Sequence, residues 1–523
     1  MLEERAIVRL RTTTFKISIE HLWLGLPVFA VLWKTFLFPL PLLDFWWHLK
    51  TGQVIATTGS IPRVDLFSFT AAGKPFVFQN WLAELLYYIV YGAGGFPLLV
   101  FFNALMATAA FLFVYHLCLE ATDKVRIAAF VAFLAAIGNY SSIRPQTFSF
   151  FMFAAYSWVL SGYRFRRRDA LWTLPVLMVF WVNLHGAFVL GLGLVAIYIA
   201  TESCRRLIDP QRRDALTLGE LRKLVVVLLL CGLVTLMNPE TYKVYHYVYT
   251  VVTDPASQEF VTEWQPPQVN QVLGILLFYG PFFLGLLSFA YSRIKPDLTE
   301  IVLFFGFAVF AMMSTRNAAW FGTVAFPILA RYLPIIDLQP LITLRRFRAT
   351  DWFFRLSEES LSERPVYSRI NVVIAVFAVG VLIAQSPWIR PTLYKVPLWD
   401  KQTPVGAAAY IHQRGLAGNI FHAQMFGDYL IWRLWPQQRS FIDGRVHLFG
   451  LDFVKQYQLL LYGCRWEDLL SRWNIQYLLL HNRTDDEEAR KLIESARTSG
   501  LWKQVYEDDV TVLFEKVTPS QWR

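Results

Sequence analysis

Apolar runs near the ~20 residues that cross a bilayer as a helix recur along the chain at about 21–41, 96–119, 125–140, 145–163, 170–185, 186–203, 223–238, 270–291, 299–314, 317–333 and 371–388. They predict about eleven transmembrane helices. Two pairs are tight hairpins, turning around Gly138 to Arg144 and at Asn183, His185 and Gly186, and several of their segments are shorter than a full span. From about Val396 the pattern changes. Helical periodicity at 403–415, 449–473 and 484–499 alternates with short β-rich runs, Asn419 to His422, Ser440 to Asp443, Gln476 to His481 and Val510 to Glu515. The fold class expected is an α-helical polytopic membrane protein with a C-terminal soluble α/β domain built on a mixed sheet. Its parts are an N-terminal segment 1–20, a membrane domain 21–395 and a tail domain 396–523.

Composition agrees with lipid as the main solvent, at 55% hydrophobic and 17% charged residues and a mean hydropathy of +0.39. The net charge of +10 does not point to nucleic acid, because the basic residues sit in short segments between apolar runs, where they orient spans. An inside N-terminus places every basic cluster on the cytoplasmic side: Lys124 and Arg126; Arg164 and Arg166 to Arg168; Arg205, Arg206, Arg212, Arg213, Arg222 and Lys223; Arg293 and Lys295; and Arg345, Arg346, Arg348, Arg355 and Arg364. An odd number of spans then puts the tail outside, as in a protein of a bacterial cytoplasmic membrane. Arg5, Arg9, Arg11 and Lys16 precede a first run without a small-residue cleavage site, so that run is expected to be a retained span. Cys118, Cys204, Cys231 and Cys464 lack metal-ligand spacing and imply no disulfide framework.

The outer loop 42–95 carries two expected interfacial helices. Asp44 to Thr57 places Trp46 and Trp47 at headgroup level, and Gln79 to Tyr91 carries Glu84. Asp44, His48, Asp65, Glu84, Arg144, Asn183, His185, Asn238, Glu259, Glu263 and Arg316 all fall at outer ends of spans. Polar groups are costly at membrane depth, so a set shared by one outer cavity points to a site. The chemistry it suits is group transfer from a lipid carrier. A carboxylate takes the proton of an acceptor hydroxyl while an arginine offsets the charge on a departing phosphate. Each residue also has a plain role: Asp44 as a helix cap, His48 as its partner, Arg144 and Arg316 at headgroups, His185 in packing, and Asp65 and Glu84 as loop carboxylates.

Leu43 to Gly52, Ile61 to Thr70 and Asn80 to Glu84 together resemble the first outer loop of bacterial membrane proteins related to GT-C glycosyltransferases. Arg144-Pro145-Gln146, Trp181 to Gly186, Asn238-Pro239, Glu263-Trp264, Arg316-Asn317, Gly427 to Trp432 and Phe441 to Arg445 resemble the same group. The resemblance implies transfer of a sugar from a polyprenyl-phosphate carrier, with membrane lipids around it and an acceptor glycan, lipid or protein on the outer face. It matches the acidic residue of the first loop to Asp44. Asp65 and Glu84 are the other carboxylates for catalysis, and His48, Arg144, Asn183, His185, Glu263 and Arg316 the substrate or phosphate ligands. Phe45 stands where protein mannosyltransferases have the second residue of an Asp-Glu pair. That departure leaves the base and a divalent metal open, and it motivates a second reading as a non-catalytic scaffold of a membrane complex or a transporter. In the tail, Gly427-Asp428 and Asp443-Gly444-Arg445 are read either as turn chemistry or as acceptor contacts.

Overall fold

The computed structural model describes residues 17–122, 124–138, 142–211, 214–335, 368–464, 466–482 and 487–517. Most of segment 1–20, Arg212, Arg213, Arg345, Arg346, Arg348, Arg355 and Arg364, and parts of the stretches 138–144 and 484–499 lie outside the described residues. Each apolar run falls on helix. In chain order these are α1 (Ile19–Leu37), α3 (Trp81–Ala121), α4 (Val125–Gly138), α5 (Gln146–Arg166), α6 (Thr173–Leu184), α7 (Phe188–Ile208) and α8 (Leu218–Val234), with α2 (Phe45–Thr58) between α1 and α3. Helical stretches Ile275–Tyr291, Leu298–Met313, Ala318–Tyr332 and Ser368–Ala384 follow. Among the described residues, three helices are long and apolar enough by themselves to cross a membrane, and five further apolar helices are shorter, at 10–17 residues.

Local chemistry sets the helix starts. Capping boxes open α1 (Ser18 with His21), α8 (Thr217 with Glu220) and Leu298–Met313 (Asp297 with Glu300). All three lie at the end of the bundle where the basic residues gather. There Arg164 meets Glu202 at 2.6 Å, Arg205 meets Glu202 at 2.7 Å, Arg168 meets Glu120 at 2.8 Å and Arg331 meets Glu300 at 3.0 Å. Glu202 is fully buried, and Thr299 adds a hydroxyl to its carboxylate at 2.8 Å. Buried ions persist only when paired in this way. Arg144 stands just ahead of α5 and Arg164 near its other end, so the two lie about 30 Å apart along the helix.

The first loop departs from the interfacial expectation. Helix α2 is where expected, yet Phe45 to Gly52 are all buried, with Trp46 at 1% and Trp47 at 6% exposure. The tail covers them: Trp46 packs edge-on against Tyr429 with ring centres 4.9 Å apart, and Trp47 lies beneath Arg445. Gly52 permits α2 to cross α3, since a Cβ there would lie 2.0 Å from the Glu84 carbonyl oxygen. The second expected helix is the start of α3, which breaks at Gly94 and Gly95, the latter at φ +66°.

The tail holds a mixed sheet in the order β1 (Asn419–His422), β2 (Ile475–His481), β4 (Thr511–Lys516), β3 (Trp502–Glu507). The β1–β2 pair is parallel and the others are antiparallel. Ser440 to Asp443, expected as a strand, is not in this sheet. Its backbone turns to the first loop instead: Ser440 N–H donates to Phe67 O (2.9 Å) and Phe69 N–H to Ser440 O (3.0 Å).

Candidate functional site

Helix α2 begins at Asp44, whose backbone has φ +66° and ψ −50°. Such a conformation is rare for a residue with a side chain, and in native proteins it survives only where surroundings hold it. The capping role is not realised, because the Asp44 side chain bonds no backbone N–H of α2. The carboxylate points to Arg144 instead, Oδ2 lying 3.5 Å from Nε. Arg144 also grips Glu263, its Nη1 donating to both carboxylate oxygens at 2.7 and 2.8 Å. Arg316 stacks over Trp264 at 5.1 Å.

These groups border two adjoining cavities. One, of about 280 Å³, is lined by Asp44, His48, His185, Glu263, Arg316 and His447, among others. The other, of about 430 Å³, is lined by Arg144, Glu263, Arg316 and a polar wall that includes Gln146, Gln265, Gln268 and Gln271. Gln146, Glu263 and Arg316 border both. Phe150, Leu277 and Ala319 of the second also border an apolar cleft between α3, α4, α5 and Ala318–Tyr332.

Electrostatics distinguish the groups. Burial pushes the Asp44 carboxyl above the usual carboxylate range, against the opposing pull of Arg144. Thirty per cent of its side-chain surface still opens onto the cavity, so the group is deep in protein yet reachable. His185 is driven down to about 3, chiefly by burial and then by Arg316, so its ring is neutral at pH 7. Its tautomer follows from its neighbours. Ala187 N–H donates to Nδ1 at 3.2 Å, and Ser149 Oγ lies 2.8 Å from the same nitrogen while accepting from Trp181 Nε1 at 2.7 Å. Nδ1 is therefore an acceptor, and Nε2 carries the hydrogen as a donor.

Other expected site residues are engaged elsewhere. Asp65 does not face the cavity: it is fully buried, pairs with Arg445 at 2.7 Å and accepts from the Phe67 and Ser68 N–H groups and the Ser68 hydroxyl. Glu84 lies under α2 bonded to His48 Nδ1 at 2.7 Å, so His48 serves Glu84 and not Asp44. Asn183 is a joint, its oxygen accepting from Trp81 Nε1 (2.9 Å) and Asn238 Nδ2 (3.3 Å). Glu259 is a surface partner of Lys455 at 3.4 Å. Glu263 presents a carboxylate to Arg144, which opposes a phosphate and makes it a poor ligand for one. Among the described residues no group of three or more His, Cys, Asp or Glu side chains is placed to hold a metal.

The tail motifs form a clasp on the first loop. Arg445 lies between Asp65 and Asp443, each at 2.7 Å, with Trp47, Phe67 and Phe76 around its guanidinium at 5.2 to 5.5 Å. Sequence reasoning missed Gln79, Asn80, Gln146, Tyr247, Asn317 and His447 as cavity lining. His447 approaches Tyr247 Oη at 3.3 Å and stacks on Phe76. Nothing in the local sequence marks it, because the first loop and the tail meet only in the fold.

No family model and no curated protein matches the chain in sequence. Solved structures do match in shape. The Archaeoglobus fulgidus oligosaccharyltransferase in complex with Zn and sulfate superposes with a TM-score of 0.50 at 13% identity, over 88% of this chain and 67% of that one. ArnT from Cupriavidus metallidurans bound to undecaprenyl phosphate gives 0.45 at 14% identity, over 95% and 98%. The mycobacterial arabinofuranosyltransferase AftD gives 0.46 at 12%, over 96% and 42%. With its apolar helices and its C-terminal sheet, the chain has a GT-C-like membrane-protein fold.

Proposed function

We propose that this protein transfers a sugar from a polyprenyl-phosphate carrier to a hydroxyl acceptor on the outer face of a bacterial cytoplasmic membrane. The observation that carries the reading is the Asp44 carboxylate, turned away from its own helix toward Arg144, in a cavity that Arg316 also borders. Asp44 is the base. The acceptor oxygen attacks the anomeric carbon, its proton passes to Asp44, and the carbon–oxygen bond to phosphate breaks with its electron pair remaining on the phosphate. Arg144 and Arg316 offset that charge, and the neutral His185 offers Nε2–H as a further donor. Glu263, held by Arg144 Nη1, competes with an arriving phosphate for that guanidinium and is expected to give way to it. The apolar cleft that shares Phe150, Leu277 and Ala319 with the arginine cavity gives the isoprenoid tail an apolar path between helices, which must open from its present volume of about 40 Å³ as the lipid enters. The clustering of basic residues at the far end of the bundle supports an inside N-terminus and an outside tail.

The test is turnover by purified protein supplied with a panel of polyprenyl-phosphate sugars, read as released polyprenyl phosphate. Wild type should release it, and Asp44→Asn should lower the rate by about 10²- to 10⁴-fold, the usual cost of losing a general base. An Asp44→Asn protein with wild-type turnover would refute the assignment of the base. Tight wild-type binding of polyprenyl phosphate without turnover on any donor would favour the scaffold.

A further inference from the structure

Asp44 cannot hold its backbone alone. A positive φ at a non-glycine residue persists where neighbouring groups over-determine it, and the Asp44 side chain caps no backbone N–H of its own helix. The Asp44 carbonyl accepts the His48 N–H of α2, but the partner of its N–H comes from 384 residues away. One carboxylate oxygen of Asp428 accepts the Asp44 N–H, and the other accepts the Gly444 N–H at 2.9 Å. Asp428 is wholly buried on the tail helix Gln424–Leu434.

Two glycines make this approach feasible. A Cβ on Gly427 would sit 2.0 Å from the Ile442 carbonyl oxygen, so only glycine lets the helix lie against the segment leading to Asp443. A Cβ on Gly444 would sit 2.6 Å from Asp44 Oδ1 and 2.9 Å from Asp428 Oδ2. Glycine at that position therefore leaves room for the Asp44 and Asp428 carboxylates. The Arg445 clasp on Asp65 anchors the same two segments one step further along.

We propose that Asp428 is a positioning residue for Asp44: by accepting the Asp44 N–H it fixes the direction of the base, so the transferring geometry exists only with the tail docked. The inference rests on the reading of Asp44 as the base. It makes the C-terminal sheet unit a working part of the site and gives the Gly427-Asp428 and Asp443-Gly444-Arg445 motifs one shared task. Asp428 touches no substrate in this scheme, and its effect is confined to the chemical step.

The variants are Asp428→Asn, which keeps size but replaces one acceptor oxygen with a donor, and Gly444→Ala, which presses on Asp44 from the other side. Each is measured as full-length protein in lipid nanodiscs beside Asp44→Asn. Readouts are turnover, equilibrium binding of undecaprenyl phosphate, and thermal unfolding. Displacing a catalytic group by about 1 Å costs on the order of 10²-fold in rate. Both variants should therefore lose about 10- to 100-fold in kcat while binding the lipid phosphate as wild type does and unfolding cooperatively only a few degrees below it, the cost of about one strained or unmade buried hydrogen bond. Wild-type kcat in both variants, with Asp44→Asn inactive, overturns this inference and leaves the base assignment standing. Parallel loss of kcat, lipid binding and thermal stability assigns Asp428 to the fold alone and also overturns it. An active Asp44→Asn protein overturns the base assignment and, with it, the positioning role.

Discussion

Replacing Arg445 with methionine removes the one cation that joins tail and first loop through two carboxylates. Asp65 and Asp443 each lie 2.7 Å from the guanidinium, and all three side chains have no exposed surface. Breaking a buried pair by deleting one partner costs about 3–5 kcal/mol, because the remaining charge stays out of water. Here two carboxylates are left. Asp65 keeps three donors, from Phe67 N–H, Ser68 N–H and the Ser68 hydroxyl, which places the cost for docking near the low end, about 3 kcal/mol. That is roughly a 100-fold shift in the docked fraction, at about 1.4 kcal/mol per tenfold. Hydrogen exchange read over residues 59–78 and 440–446 in nanodiscs should show protection falling by about that factor. The neutral triple variant Asp65→Asn/Asp443→Asn/Arg445→Met should recover most of it, since no unpaired charge then remains. Unchanged protection in Arg445→Met, or a triple variant no better than the single, would refute the view of Arg445 as an ionic clasp.

Further outcomes follow from the same geometry. Because burial holds the Asp44 carboxyl above its ordinary range, the base is protonated and idle below that raised pKa; kcat/KM should fall as pH drops through it, and the acid limb should move to higher pH in Arg144→Gln, which removes the charge that lowers it. Arg144→Gln and Arg316→Gln should each weaken undecaprenyl phosphate binding, by about 10-fold or more per lost charge-assisted contact, measured by competition in nanodiscs. Glu263→Gln should instead tighten it, because a neutral amide yields Arg144 more readily; weaker binding would contradict the exchange of Glu263 for phosphate. His185→Gln, a neutral donor in place of a neutral donor, should keep more activity than His185→Phe.

The membrane helices were legible because a long apolar run has few alternatives. The runs 145–163 and 186–203 map onto α5 and α7 within a few residues at each end, and basic segments marked one end of the bundle. The tail was legible in part. Strand β3, Trp502–Glu507, escaped because half of its residues, Lys503, Gln504 and Glu507, are polar and exposed and do not alternate regularly with the apolar ones. Ser440 to Asp443 looked like a strand because loops that dock as extended backbone use the same residue types. Trp46 and Trp47 were placed at the headgroups for want of any local sign that the tail would bury them. The largest gap concerns Asp65 and Glu84. Carboxylates in an outer loop read alike in sequence, and only the fold shows that Asp65 meets Arg445, 380 positions away, and that Glu84 sits under α2 beside His48. Asp44, by contrast, stands out through its place between the first span and an aromatic helix.

In the proposed reaction a lipid phosphate sits between Arg144 and Arg316, within reach of the groups around Asp44. An experimental structure of the protein with undecaprenyl phosphate would show where the phosphate binds. The account predicts phosphate oxygens within about 3 Å of both guanidinium groups, Glu263 displaced from Arg144, and the isoprenoid chain in the cleft beside Phe150, Leu277 and Ala319. A lipid bound elsewhere on the bundle, with the Arg144–Glu263 pair intact, would contradict it.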